Sequence, residues 1–283
     1  MLRRRYSLMA ASAALALAAA TPVRGQGLTH NDRGGKPHKS KPPSSSPLPA
    51  ATNGASPMSW LDDASLMAPG TMSLSISAMR WSGTDLSEVD APIVDAAVGV
   101  TKRIQFGASV PHVMGTADGP VGGIGTSYVS GKVALLDDQE VKLAVSPIFE
   151  ILGAGAVQAL APGESRYQIG LPVSLEVTQG AARMFAATGF FSRGAWFAGG
   201  GAGYQASPRV GLSLSFTRAW AKTDVEGVTR DRRELSGGVS YFVKPQIGIY
   251  GSVGHTIATT DENGAGMTVS GGVTFIVNAP VIK

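Results

Sequence analysis

The 283-residue chain has no cysteine, 16% charged residues and 37 glycines, close to twice the average glycine usage. Zero cysteines exclude a disulfide framework, a thiolate metal site and a lipid-bearing N-terminal cysteine. The formal charge of +4 is concentrated before residue 42, and the remainder of the chain is close to neutral, without the basic face that nucleic-acid binding needs.

In chain order, Arg3, Arg4 and Arg5 precede an apolar run over residues 8–20 and small residues over 21–27. This is the layout of a secretory signal peptide, expected to span residues 1–27. Arg4-Arg5 reads as n-region charge rather than a twin-arginine signal. No stretch approaches the eighteen or so apolar residues of a spanning helix, which rules against a helical membrane protein. Residues 28–66 are rich in Pro, Ser, Gly and Lys, a flexible periplasmic segment by composition. His30 and His38 lie in it and read as solvated side chains, so no metal site is expected.

From residue 67 to 283 the pattern changes to apolar and small or polar residues in alternation. Tyr167, Ile169, Leu171, Val173, Leu175 and Val177 interleave with Gln168, Gly170, Pro172, Ser174 and Glu176. A period of two puts each set on its own face of a strand. The same alternation predicts strands over 71–81, 91–100, 104–113, 126–136, 141–151, 166–177, 183–192, 195–205, 209–220, 233–243, 247–258 and 266–277. The fold class is therefore all-β, a transmembrane antiparallel barrel of about twelve strands in the bacterial outer membrane. Connections at 101–103, 137–140, 178–182, 206–208 and 244–246 are tight, as periplasmic turns are. Those at 82–90, 114–125, 152–165, 221–232 and 259–265 are longer and read as external loops, and the brief 193–194 link is the exception. Asn263-Gly264 is a hairpin-turn signal in the last of them.

Trp81, Trp196, Trp220, Tyr128 and Tyr167 then fall at outer strand ends as an interfacial girdle, although Trp81 and Tyr128 have inward parity. Tyr204, Tyr241, Phe106 and Phe275 fall at periplasmic ends. Asp95, Lys132, Lys142, Glu150 and Glu176 are the inward ionisable residues, candidates for lumen selectivity or for paired charges that brace the wall. Arg80 and Arg218 sit on the apolar parity near outer ends, where lipopolysaccharide phosphates or a β-bulge would accommodate them. Much of the inner face is small, as at Ser73, Ser75, Gly107, Ser109, Ser213, Ser215, Ser252 and Gly254, which leaves room for a narrow passage. Gly199-Gly200-Gly201 reads as strand flexibility and residues 122–125 as loop, since neither run leads into a helix as a phosphate loop does.

A hydrolase of the barrel type needs a histidine within reach of a hydroxyl nucleophile. His112 and His255 are the barrel's only histidines and neither stands in such a pattern, so no enzyme and no cofactor are expected.

The run Ala68-Pro69-Gly70-Thr71, the hairpin over 98–113 (VGVTKRIQFGASVPHV), the stretch 123–135 leading into 142–151, and the closing strands over 234–277 resemble bacterial outer-membrane proteins associated with meta-pathway phenol and other aromatic degradation. The resemblance implies a barrel that lets small apolar or aromatic compounds across the outer membrane. The expected function is passive diffusion of small solutes through a monomer, with outer-membrane lipid and lipopolysaccharide as surroundings. The alternative is a non-conducting anchor or surface interaction protein, its lumen blocked by the loop 152–165 or by residues before Met67, with 60–67 as a short plug.

Overall fold

A computed structural model describes residues 64–83, 87–116, 121–158, 160, 162–221, 231–259 and 265–278. The expected signal peptide, His30, His38, Trp60 and Asn263-Gly264 lie outside these residues. The strands are β1 (Thr71–Gly83), β2 (Ser87–Thr101), β3 (Ile104–Val113), β4 (Gly123–Ile124), β5 (Ser127–Asp137), β6 (Val141–Val145), β7 (Ile148–Ile151), β8 (Tyr167–Gly170), β9 (Val173–Gln179), β10 (Ala182–Phe190), β11 (Ala195–Ser207), β12 (Val210–Ala221), β13 (Asp231–Lys244), β14 (Ile247–Thr259) and β15 (Gly266–Asn278). One short helix, α1 (Ala154–Gln158), lies between β7 and β8.

Every neighbouring pair is antiparallel, and β1 pairs with β15 from Thr71↔Asn278 to Gly83↔Gly266, so the sheet closes into a 12-strand barrel. The higher number of strand segments has a local cause. Pro147 separates β6 from β7 and Pro172 separates β8 from β9, because proline has no N–H to give to the ladder. Their carbonyls still accept, from Gly131 N and Ser146 N respectively, so each pair of segments crosses as one span.

Burial is inverted relative to a water-soluble protein. Ile169 is 60% and Leu214 56% exposed, whereas Glu176 is 2%, Thr217 3% and Glu234 3% exposed. The apolar parity faces outward on every span, as hydrocarbon requires, and the polar parity lines the lumen. The protein is thus an outer-membrane β-barrel. Links at 102–103, 138–140, 180–181, 208–209 and 245–246 share one end, which the short-turn rule assigns to the periplasm.

At the outer end the briefest link stands where expected and two others differ. The hairpin between β10 and β11 is real despite its brevity: Gly194, at a φ of 89°, closes a turn with Gly194 N donating to Phe191 O at 2.9 Å. Strands β1 and β2 run further than expected, shrinking the 82–90 loop to residues 84–86. Residues 123 and 124, expected as loop, pair with Val113 and His112 as β4.

The inner wall is knit by two kinds of cross-strand pair. Hydroxyls bond directly at Ser75 and Thr274 (2.7 Å), Ser215 and Ser236 (2.7 Å), and Ser252 and Ser270 (2.6 Å). Aromatic rings lie over glycines opposite: Phe185 on Gly201, Phe197 on Gly189, Phe191 on Gly170 and Tyr250 on Gly272. Gly201, expected only to loosen its strand, is therefore a ring seat. The rings lie along the wall instead of standing in the lumen.

A Cβ at Gly189 would come within 2.4 Å of the Phe197 ring and 2.9 Å of Pro172 Cα. Gly189→Ala should therefore destabilise the refolded barrel by about 1–3 kcal/mol, the usual cost of overpacking. Gly155→Ala, with nothing within 4 Å of the new methyl, should leave it unchanged. Urea unfolding in detergent, followed by tryptophan fluorescence, measures both.

Candidate functional site

The segment from Ala64 to Gly70, just before β1, crosses the inner wall at the periplasmic end. Gly70 N donates to Gly99 O on β2 at 2.8 Å, and Met67 N to Gln105 Oε1 on β3 at 2.8 Å. Further along, Lys132 Nζ of β5 donates to Ser65 O at 3.1 Å and Lys142 Nζ of β6 to Ser65 Oγ at 2.9 Å. Ser65 Oγ in turn donates to the Glu176 carboxylate of β9 at 2.8 and 2.9 Å. The strap thus spans the wall from β1 to β9, and Ala64 is 1% exposed at its far end. Gly99 makes the passage feasible, because a Cβ there would sit 2.4 Å from Ala68 O and 2.5 Å from Met67 O.

Glu176 is the electrostatic centre of this site. Lys142 Nζ stands 4.0 Å and Arg183 Nη1 3.9 Å from its oxygens, and Thr178 Oγ1 donates at 3.3 Å. Two cations thus flank one buried carboxylate, and Lys132 holds the strap beside them.

The other candidate residues lie apart from it. Glu150 accepts a hydrogen bond from Gln168 on the neighbouring span. Asp95 accepts from Ser109 on β3, and Tyr250 shares a hydrogen bond with Ser77 beside it. Nearer the outer end, Glu88 and Asp90 face the lumen from β2, and Arg232 pairs with Glu234 at 2.9 Å. Among the described residues no lysine or arginine pairs with Glu88, Asp90 or Asp95. The lumen is therefore polarised, with acid along β2 towards the outside and base around β5, β6 and β10 towards the periplasm.

All five inward candidates thus occupy the lumen wall, and Lys132, Lys142 and Glu176 meet on one ligand that the sequence did not indicate, the Ser65 hydroxyl and carbonyl. Arg183 joins them as a residue that the sequence reading missed, although the parity of β10 turns it inward. Trp196 and Tyr167 face outward, as does Trp220 by its pairing with Trp196. Trp81 and Tyr128 face the lumen, where Trp81 packs over Gly83 and Gly266, so neither belongs to the lipid-facing girdle. Tyr204, Tyr241, Phe106 and Phe275 face outward near the periplasmic ends.

The loop after β7 is not a deep plug among the described residues. Helix α1 buries no residue, and the loop is tied sideways by Arg193, which bonds Glu164 at 2.8 Å and Ser165 O at 3.0 Å. His112 and His255 both project outward, with β2, β1 and β15 between their strands. His255 is paired opposite Leu235 and Met267, and His112 opposite Ile124, so neither faces a hydroxyl across its ladder.

No family model matches the sequence, and no curated protein matches it. Solved structures do share its fold. The NanC porin superposes with a TM-score of 0.54 at 13% identity, over 71% of this chain and 98% of that one. An outer membrane channel from Pseudomonas putida F1 superposes with a TM-score of 0.53 at 14% identity, over 76% and 98%. At such identities the likeness establishes the fold, a closed barrel of the outer-membrane porin type.

Exchanging both strap-holding lysines, Lys132→Gln with Lys142→Gln, removes two of the three cations that line the lumen at the strap. In planar bilayers the reversal potential under a salt gradient should move towards cation preference, and an unchanged potential would show that these charges only brace the wall.

Proposed function

We propose that this barrel is an outer-membrane channel for passive diffusion of small solutes, with the strap from Ala64 to Gly70 narrowing its periplasmic mouth. What carries the proposal is the lumen itself, lined by hydroxyls, glycines and opposed arcs of charge, with its aromatic rings laid against the wall. The channel and porin named above share the architecture. Small apolar or aromatic compounds are the favoured solutes, on the strength of the sequence resemblance to outer-membrane proteins of aromatic degradation. In this reading the barrel works as a monomer, each chain enclosing its own lumen. Residues 28–66 are then the periplasmic segment that follows the signal peptide, with Ser65 near its end held in the strap.

One observation favours the other reading, a non-conducting anchor: the strap is hydrogen-bonded to five spans, and Ala64 within it is buried. The two readings separate in planar bilayers. Mature protein should give small steady conductances, and protein lacking the residues before Met67, and with them Ser65, should give larger ones. Silence of both proteins, together with failure of liposomes to admit small aromatic acids, would establish the anchor.

A further inference from the structure

The outward face carries one charged cluster that the lumen does not use. Arg218 of β12 and Arg233 of β13 are paired directly across their strands, both on the lipid-facing parity. Like charges in that position repel, and arginine on this face is disfavoured unless it reaches the interface. A single carboxylate relieves the repulsion. Asp231 Oδ1 accepts from Arg218 Nε at 2.9 Å and Oδ2 from Arg218 Nη2 at 2.8 Å, while Arg233 Nη2 reaches Oδ2 only at 3.4 Å. Among the described residues, two guanidinium groups thus share one carboxylate, and their side chains are 43% and 45% exposed.

The height of the cluster is marked. Trp196 and Trp220 form the adjacent outward pair one rung nearer the outer end, and the Arg218 guanidinium lies over the Trp220 ring at 5.3 Å. A tryptophan pair at a strand end marks the membrane interface, so both arginines extend to the headgroup level of the outer leaflet. We infer that Arg218 and Arg233 form a binding site for the phosphorylated saccharide headgroup of lipopolysaccharide. Arg218 is oriented by Asp231 and Trp220, and the donors of Arg233 left over from its single long contact with Asp231 take the phosphate. Guanidinium matches phosphate oxygens two at a time, which suits a fixed pair of arginines. The site is independent of whether the lumen conducts.

The test uses the mature barrel in detergent, titrated with lipid A, with the same lipid dephosphorylated, and with inorganic phosphate, and bound lipid is read by native mass spectrometry. Arg233→Gln is the decisive variant, because it leaves the two short Arg218 contacts with Asp231 in place. Its affinity for lipid A should fall about tenfold, the loss of one charge-assisted contact. Dephosphorylated lipid should bind wild type no better than lipid A binds the variant, and inorganic phosphate should not displace the lipid. Arg103→Gln with Arg209→Gln, at periplasmic turns, should match wild type, and heat-dependent mobility on gels verifies that each variant is folded. Equal lipid A binding by wild type and Arg233→Gln, or equal binding of the two lipids by wild type, overturns the proposal. So does displacement by inorganic phosphate, which would make this an ion site and not a lipid site.

Discussion

Closure between the first and last strands is the constraint on which the rest depends. In hydrocarbon no water is available to satisfy a backbone N–H or C=O, so a sheet with open edges has no stable place there. The register from Thr71↔Asn278 to Gly83↔Gly266 removes both edges at once. With the edges gone, each span is free to give its apolar parity to lipid and its polar parity to the lumen. Proline is then tolerated where two neighbouring spans break together, at Pro147 and Pro172, because the carbonyls beside the gaps still take hydrogen bonds from the adjoining strand.

Closure also determines what the interior can hold. Side chains facing a common lumen compete for one volume, and here the competition is settled by pairing large with absent. A phenyl or phenol ring opposite glycine fills the space that two ordinary side chains would share, and the hydroxyl pairs bond across strands without extending inward. The result is a wall with local packing on each seam and small projections between seams. That wall makes a passage and a strap compatible in the same barrel.

The strap shows how electrostatics and topology meet. Glu176 is buried, and burying a carboxylate is costly unless donors surround it. Lys142, Arg183, Thr178 and the Ser65 hydroxyl provide them, so the same cluster that stabilises the charge also fastens the chain before β1. Because β2 holds the opposite sign of charge near the other mouth, a solute crossing the barrel would meet acid and base in succession.

The sequence by itself determined the class of fold, the number of spans and the facing of nearly every residue. Strand alternation is local, with a period of two, and lipid enforces it on one face along the middle of each span. Even the brief link beside Gly194 was legible as a turn, since glycine alone fits its backbone easily. The facing of Lys132, Lys142 and Glu176 was legible for the same reason as the alternation, as was that of Trp81 and Tyr128. What only the tertiary structure decided is who meets whom. Ser65 lies 111 residues from Glu176 in the chain, and no periodicity marks a short irregular strap. The glycine seats at Gly170, Gly189 and Gly201 depend on which residue stands opposite, which is a matter of register between strands. The pairing of Arg218 with Arg233 and Asp231 is likewise a cross-strand fact. Alternation fixes a residue's face from its own neighbours, whereas its partners depend on how far each strand slides against the next.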